Sequence, residues 1–211
     1  MAKSRIEGIE GPTAVVFDCG NVLYGWDPHS FLERQIPEDE ARLRFIEEVG
    51  LWGWHDSLDA GRPFAEAAAE LSEKFPDYAA LISAWGDRFG ETIGDPVAGV
   101  HAIVEELDER GVPLFAITNF SAEFWAPFRA REDAFFRRFQ GIVVSGEEKL
   151  LKPDPAIYYR ALDRFRLRPE QALFVDDRKI NVEGAEAVGM HGHLFTDAAG
   201  LRRRLQAEGL L

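Results

Sequence analysis

The stretch AVVFDCGNVLYGWDP, residues 14–28, decides the fold. Its opening apolar run suits a strand buried on both faces, and that strand delivers one carboxylate, Asp18, to its end. The next residues, Cys19, Gly20 and Asn21, offer nothing to share the charge. Counting this run as TAVVFD (13–18), there are five such strands. The others are VPLFAITN (112–119), GIVVSG (141–146), ALFVDD (172–177) and HGHLF (191–195). Helical patterns accompany the later four. The clearest runs from Pro96 to Arg110, with Val97, Val100, Val104 and Leu107 on one face, Asp95 and Pro96 as a start and Gly111 as a stop. DPAIYYRALDRF (154–165) begins with a capping Asp154 and Pro155 at the first helical position. NVEGAEAVG (181–189) and DAAGLRRRLQAEG (197–209) supply two more. Strands alternating with helices imply right-handed crossovers and an α/β fold with a doubly wound, Rossmann-like parallel sheet.

About 70 residues separate the first strand from the next alternating unit, far more than one crossover needs. Residues 24–94 are therefore expected to form a helical subdomain, with residues 1–23 and 95–211 forming the core. Its helices are expected at DPHSFLERQ (27–35), EDEARLRFIEEVG (38–50), PFAEAAAELSEKF (63–75) and YAALISAWGDRFG (78–90). Trp26, Trp52, Trp54 and Trp85 fall here; they build a small helical core, or one or two of them line a pocket facing the sheet.

The 211 residues are 46% hydrophobic, enough for a sizeable core and too apolar for a disordered chain. With 24 basic and 37 acidic residues the net charge is −13, which repels nucleic acid and anionic membrane surfaces. A small anionic substrate remains compatible with a locally positive cleft. No apolar run approaches a membrane span or a secretion signal, so the expected compartment is the cytoplasm. The single cysteine, Cys19, has no internal disulfide partner and is expected to pack as a small apolar residue, since no arginine follows to serve a cysteine phosphatase loop.

In a doubly wound sheet, ligands bind at the carboxyl ends of the strands. The first strand ends at Asp18, the second at Thr118 and Asn119, the third leads to Lys152 in KLLKPDP, and the fourth ends at Asp176 and Asp177. Three carboxylates, an amine and hydroxyl and amide donors would converge on one edge. Such a cluster is costly unless a cation and an anion complete it.

The order of VVFDCGN, AITN, LLKPDP and LFVDDRKIN resembles the four motifs of the haloacid dehalogenase superfamily of hydrolases, and the insertion after the first motif resembles that family's helical cap. The resemblance implies covalent catalysis by Asp18, through an aspartyl-phosphate that water hydrolyses. It implies magnesium held by Asp18, the Gly20 carbonyl and Asp177, with Asp176 acting through water. Lys152, Thr118 and Asn119 would bind the phosphoryl oxygens, Lys152 also keeping Asp18 ionised.

Gly20 departs from the pattern, because most phosphatases of the family carry there an Asp that transfers the proton to the leaving group. Substrates whose leaving groups depart easily would suffer least, and FDCGNVL resembles the opening of bacterial glucose-1-phosphate phosphatases, which also have glycine. Asp27 and His55 are candidate replacements for the missing acid; a helix N-cap and a structural role are their duller explanations. His29, His101, His191 and His193 show no metal spacing connected with the site.

The expected function is magnesium-dependent hydrolysis of a small phosphomonoester, a sugar phosphate being the first choice. The alternatives are a metal-free 2-haloacid dehalogenase, against which the acidic pair Asp176 and Asp177 argues, and a non-catalytic binding protein, which would not need the full set of reactive groups.

Overall fold

The structure, a computed structural model, describes residues 11–211; the first ten residues, assigned above to the core, lie outside the described residues. The chain runs β1 (Ala14–Phe17), β2 (Tyr24–Trp26), α1 (Pro28–Gln35), α2 (Asp39–Val49), α3 (Leu51–Asp59), α4 (Phe64–Lys74), α5 (Ala79–Asp87) and β3 (Ile93–Pro96). It continues through α6 (Val100–Glu109), β4 (Leu114–Thr118), α7 (Ala122–Arg131), α8 (Asp133–Phe136), β5 (Gly141–Val144) and α9 (Ser145–Glu148). It ends with α10 (Pro155–Phe165), β6 (Ala172–Asp176), α11 (Lys179–Ala187), β7 (His191–Leu194) and α12 (Ala198–Ala207).

The five expected strands form one parallel sheet in the order β5-β4-β1-β6-β7. Both faces are covered, which is why these strands read as unbroken apolar runs. Alternate side chains of one strand enter different cores. Val15 and Phe17 of β1 join Val104 and Leu107 of α6 and Leu201 and Leu205 of α12, whereas Ala14 and Val16 join Ile157 and Tyr158 of α10 and Ala185 of α11. The chain moves from β1 to β4 and β5, then crosses back to β6 and β7. The carboxyl end of β1, flanked by β4 and β6, is therefore the topological switch point.

Helices α1 to α5 lie between β2 and β3, which pair antiparallel, so the chain leaves and re-enters the sheet region along adjacent strands. Trp85, Leu51, Leu58, Phe45 and Phe31 are buried among these helices. Helix α9, which follows β5, and this helical segment meet closely at Gly61, with φ +92°, where a Cβ would stand 2.7 Å from the Gly146 carbonyl. Only glycine supplies both that backbone conformation and that clearance.

Asp154 caps α10 as expected, accepting from Ala156 N at 2.8 Å. Several elements differ from expectation. The helix expected from Pro96 begins at Val100, because Pro96 pairs with Tyr24 in β3 and Gly99, at φ 79°, turns the chain. Helix α3 follows α2 directly through Gly50, whose left-handed φ of 61° redirects the chain. Its aromatic and glycine-broken sequence, LWGWHDSLD, hides the helical period. Helix α7 carries Pro127 in its interior, and neither α7 nor α8 has the simple apolar stripe that sequence periodicity detects.

Candidate active site

Asp18 lies just beyond β1, its main-chain N–H donating to Val175 O of β6 at 2.8 Å. Its Oδ1 accepts from the next N–H, that of Cys19, at 2.7 Å and lies 2.7 Å from Lys152 Nζ. Lys152 is almost wholly buried; its ammonium also reaches Asp176 Oδ2 at 2.7 Å and Ile117 O at 3.1 Å. All three of its N–H donors are engaged, so Lys152 serves here as a charge beneath the site rather than as a free arm.

Asp176 is fully buried and fully committed. Oδ1 accepts from Arg178 N at 2.8 Å and Asn181 Nδ2 at 3.0 Å, and Oδ2 from Asn181 Nδ2 at 3.1 Å in addition to Lys152. Asp177 is more open and accepts from Asn21 Nδ2 at 3.3 Å. Asn21, in the left-handed region at φ 55°, also accepts Trp26 N on its Oδ1 at 3.0 Å, which fixes the turn after Asp18.

One oxygen from each of Asp18, Asp176 and Asp177 lies within 4.8 Å of the others. Three carboxylates thus share one ammonium. Burial pushes the Asp18 carboxyl up to about 7, against the opposing pull of Lys152 and with reinforcement from Asp176 and Asp177. Asp177 is also raised, by burial and then by Asp176. Lys152 therefore does not by itself hold Asp18 in the ordinary carboxylate range. A hard divalent cation would relieve this excess of negative charge, and an all-oxygen donor set fits magnesium.

These groups open into a cavity of about 150 Å³ lined by Asp18, Gly20, Asn21, Asn119, Lys152 and Asp177 on the sheet side. The rest of the lining is largely apolar and aromatic, with Trp26, Phe89, Ile93, Phe120 and Phe128, together with the polar residues His55, Asp56 and Asp59 of α3. Trp26 therefore lines the pocket, whereas Trp54 and Trp85 are buried among the helices.

The remaining expected residues fall differently. Thr118 is buried at the end of β4 and does not line the cavity. The Asn119 side chain lines the cavity and also holds the Lys152 main chain, donating to its carbonyl at 3.1 Å and accepting its N–H at 2.9 Å. Asp27 caps α1 by accepting from Ser30 N at 3.0 Å and lies outside the cavity wall. Its carboxyl is held low by the Ser30 hydroxyl and main-chain N–H. His55 is in the cavity wall, stacked between Trp26 and Phe89, and burial pushes its imidazole down to about 4. Cys19 is buried, and burial with the neighbouring Asp18 pushes its thiol up, so it has no nucleophilic character at neutral pH. Asn21, Asp59, Arg178 and Asn181 line the cavity without having been singled out from the sequence. Asn181 had a legible signal, its place in the first turn of the helix after the Asp pair; Asp59 had none, because its helix was not recognised.

An acidic cluster beside a buried lysine at the switch point of a doubly wound α/β sheet is the arrangement on which hydrolases with a carboxylate nucleophile are built. The chain matches the haloacid dehalogenase-like hydrolase family over residues 12–189 and belongs to that family. It is 27% identical over 191 residues to the sesquiterpene phosphatase astK of Aspergillus oryzae, covering 88% of this chain and 90% of that one. It is 24% identical over 178 residues to the phosphorylated carbohydrates phosphatase of Thermotoga maritima, covering 84% of this chain and 82% of that one. A haloacid dehalogenase family enzyme of Bacteroides thetaiotaomicron, solved with magnesium and inorganic phosphate, superposes with a TM-score of 0.67 over 89% of this chain and 96% of that one, at 19% identity. Among the described residues no helix is long and apolar enough to cross a membrane.

Proposed function

We propose that the protein is a magnesium-dependent phosphatase that hydrolyses a small phosphomonoester through an aspartyl-phosphate on Asp18. The observation that carries this reading is the convergence of Asp18, Lys152 and Asp177 on one cavity, with the buried Asp176 bound to Lys152 behind them. Asp18 would attack phosphorus, and water would then hydrolyse the acyl phosphate, replacing one hard displacement by two easier ones. Asp18, Asp177 and the Gly20 carbonyl would hold magnesium, with Asp176 behind them through water; when bound, the ion neutralises phosphoryl charge. Lys152 orients Asp18 and balances its charge. Asn119 positions Lys152 through one Nδ2 N–H and its Oδ1, and its second Nδ2 N–H is left for a phosphoryl oxygen in the cavity it lines. Residues 24–94 act as a cap that closes the cavity and excludes water during transfer.

A sugar phosphate is the first substrate class to test. The half-buried indole of Trp26 on the cavity wall suits the apolar face of a pyranose, and the polar groups of α3 suit its hydroxyls. The carbohydrate-phosphate activity of the Thermotoga maritima relative supports this choice. Metal-free dehalogenation is disfavoured by the three-carboxylate cluster, which that chemistry does not need.

The test is release of inorganic phosphate from para-nitrophenyl phosphate and a panel of sugar phosphates, with magnesium and with chelator, beside Asp18→Asn. Turnover that requires magnesium and vanishes in D18N is expected. Equal rates in parent and D18N would leave a binding protein, and chloride release from 2-chloropropionate in chelator would favour the dehalogenase.

A further inference from the structure

Accepting the phosphatase reading, the chemistry still lacks a group that protonates the leaving oxygen, since Gly20 has no side chain. Asp27 serves α1, Lys152 is saturated by its three partners, and Tyr24 donates to Glu132 at 3.0 Å. Three titratable groups of α3 also line the cavity: His55, whose imidazole burial holds low, Asp56, which is exposed, and Asp59 at the end of the helix, the one buried carboxyl of the three. Asp59 is 7% exposed and borders the cavity that Asp18 enters. Its Oδ1 has no hydrogen-bond partner, and His55 Nε2 stands 3.7 Å from its Oδ2. A buried carboxyl with an unused oxygen is costly unless it is protonated or serves a ligand.

The position of Asp59 is fixed by the core. Its main-chain carbonyl accepts from Ser145 Oγ at 2.6 Å, and the same hydroxyl accepts Phe120 N at 2.9 Å. Ser145 thus ties the end of α3 to the residue that follows Asn119, on the strand-end loop nearest Lys152. A helix of the inserted segment is thereby held in register with the catalytic edge of the sheet.

We propose that Asp59 is the general acid and base of this enzyme, taking over the proton transfer that Gly20 cannot perform. As Asp18 oxygen bonds to phosphorus, the bond from phosphorus to the leaving oxygen breaks and its electron pair stays on that oxygen. The oxygen takes the Asp59 proton and leaves as the alcohol. In the second half, water attacks phosphorus and yields a proton to the Asp59 carboxylate. The bond from phosphorus to Asp18 breaks, its electrons returning to Asp18, and inorganic phosphate leaves.

Burial, reinforced by Asp56 and Asp18, pushes the Asp59 carboxyl up to about 7, against the pull of the Ser121 main-chain N–H and Lys152. An acid poised near the working pH suits both halves of the cycle. The charged or titratable groups that reach it are His55 and Asp56 from its own helix, Asp18 from the end of β1 and Lys152. Helix α9, packed on α3, has its Glu148 turned away to Arg160 and Arg164.

The test is leaving-group dependence in Asp59→Asn, with fold checked by circular dichroism. Relative to the parent, D59N is expected to lose about 10²- to 10³-fold in kcat/KM on 2-glycerol phosphate, whose alkoxide needs a proton. The loss on para-nitrophenyl phosphate, whose phenolate departs readily, should be smaller by about tenfold or more. Asp59→Glu, which keeps an acid one methylene farther out, should recover part of the difference. The same factor of loss on both substrates in folded D59N, or in D59E if D59N does not fold, overturns the assignment while leaving the phosphatase reading intact. A parent whose turnover survives D18N removes both.

Discussion

Asn119 and Lys152, at the ends of two neighbouring strand connections, hold each other by a reciprocal pair of hydrogen bonds, Nδ2 to carbonyl at 3.1 Å and N–H to Oδ1 at 2.9 Å. This pair sets where the Lys152 side chain starts, and so where its ammonium meets Asp18. Asn119→Ala is expected to lower kcat by about tenfold to a hundredfold, the range for losing a positioning group. It should also cost about 1–3 kcal/mol in stability, since two buried main-chain groups lose their partners. Phosphatase assays and urea unfolding check both; a shift in KM alone would assign Asn119 to substrate binding only.

Lys152→Met removes the cation between Asp18 and Asp176 and leaves two buried carboxylates uncompensated, at a cost of about 3–5 kcal/mol near neutral pH. The sign with pH follows from their protonation. Asp18 already stands at about 7 in the folded protein, above its ordinary 3.8, and loss of Lys152 raises it further. A raised carboxyl favours the folded state at low pH and loses that advantage as pH rises above the unfolded value. The penalty in K152M is therefore smaller at pH 5 than at pH 8. A penalty that grows on acidification would contradict the pairing.

Magnesium is expected to stabilise the parent by about 2.7 kcal/mol at a hundredfold excess over its Kd. For a chain of this length that corresponds to roughly 5–10 °C in Tm. Asp177→Asn, which removes the most open of the three carboxylates, should lose most of that shift. Thermal scans across a magnesium titration decide without any turnover, and a parent Tm insensitive to the ion would rule out the cation site.

Asp27→Ala tests the cap. Loss of the Ser30 contacts at the start of α1 should cost about 1 kcal/mol. The pH dependence of kcat/KM should retain the parent's shape, because Asp27 lies outside the cavity wall. Disappearance of an ionisation from that profile would return Asp27 to the proton-transfer step.

The sequence by itself determined the sheet and the edge where the chemistry lies. Strands such as Ala14–Phe17 and Ala172–Asp176 are apolar on both faces because both are covered, and a carboxylate that closes such a run lies at the strand's carboxyl end, where the sheet leaves its cover. That places Asp18, Asp176 and Asp177 together before any coordinate is known. Tertiary structure alone decided how the polar groups are shared out. Asn119 and Lys152 carry as many donors and acceptors as a substrate site needs, yet the packing spends most of them inside the protein. It also decided the standing of Asp59. Its charge is unremarkable in LWGWHDSLD; burial, reinforced by Asp56 and Asp18, raises its proton affinity, the anchor at Ser145 fixes its place, and both are properties of the folded chain.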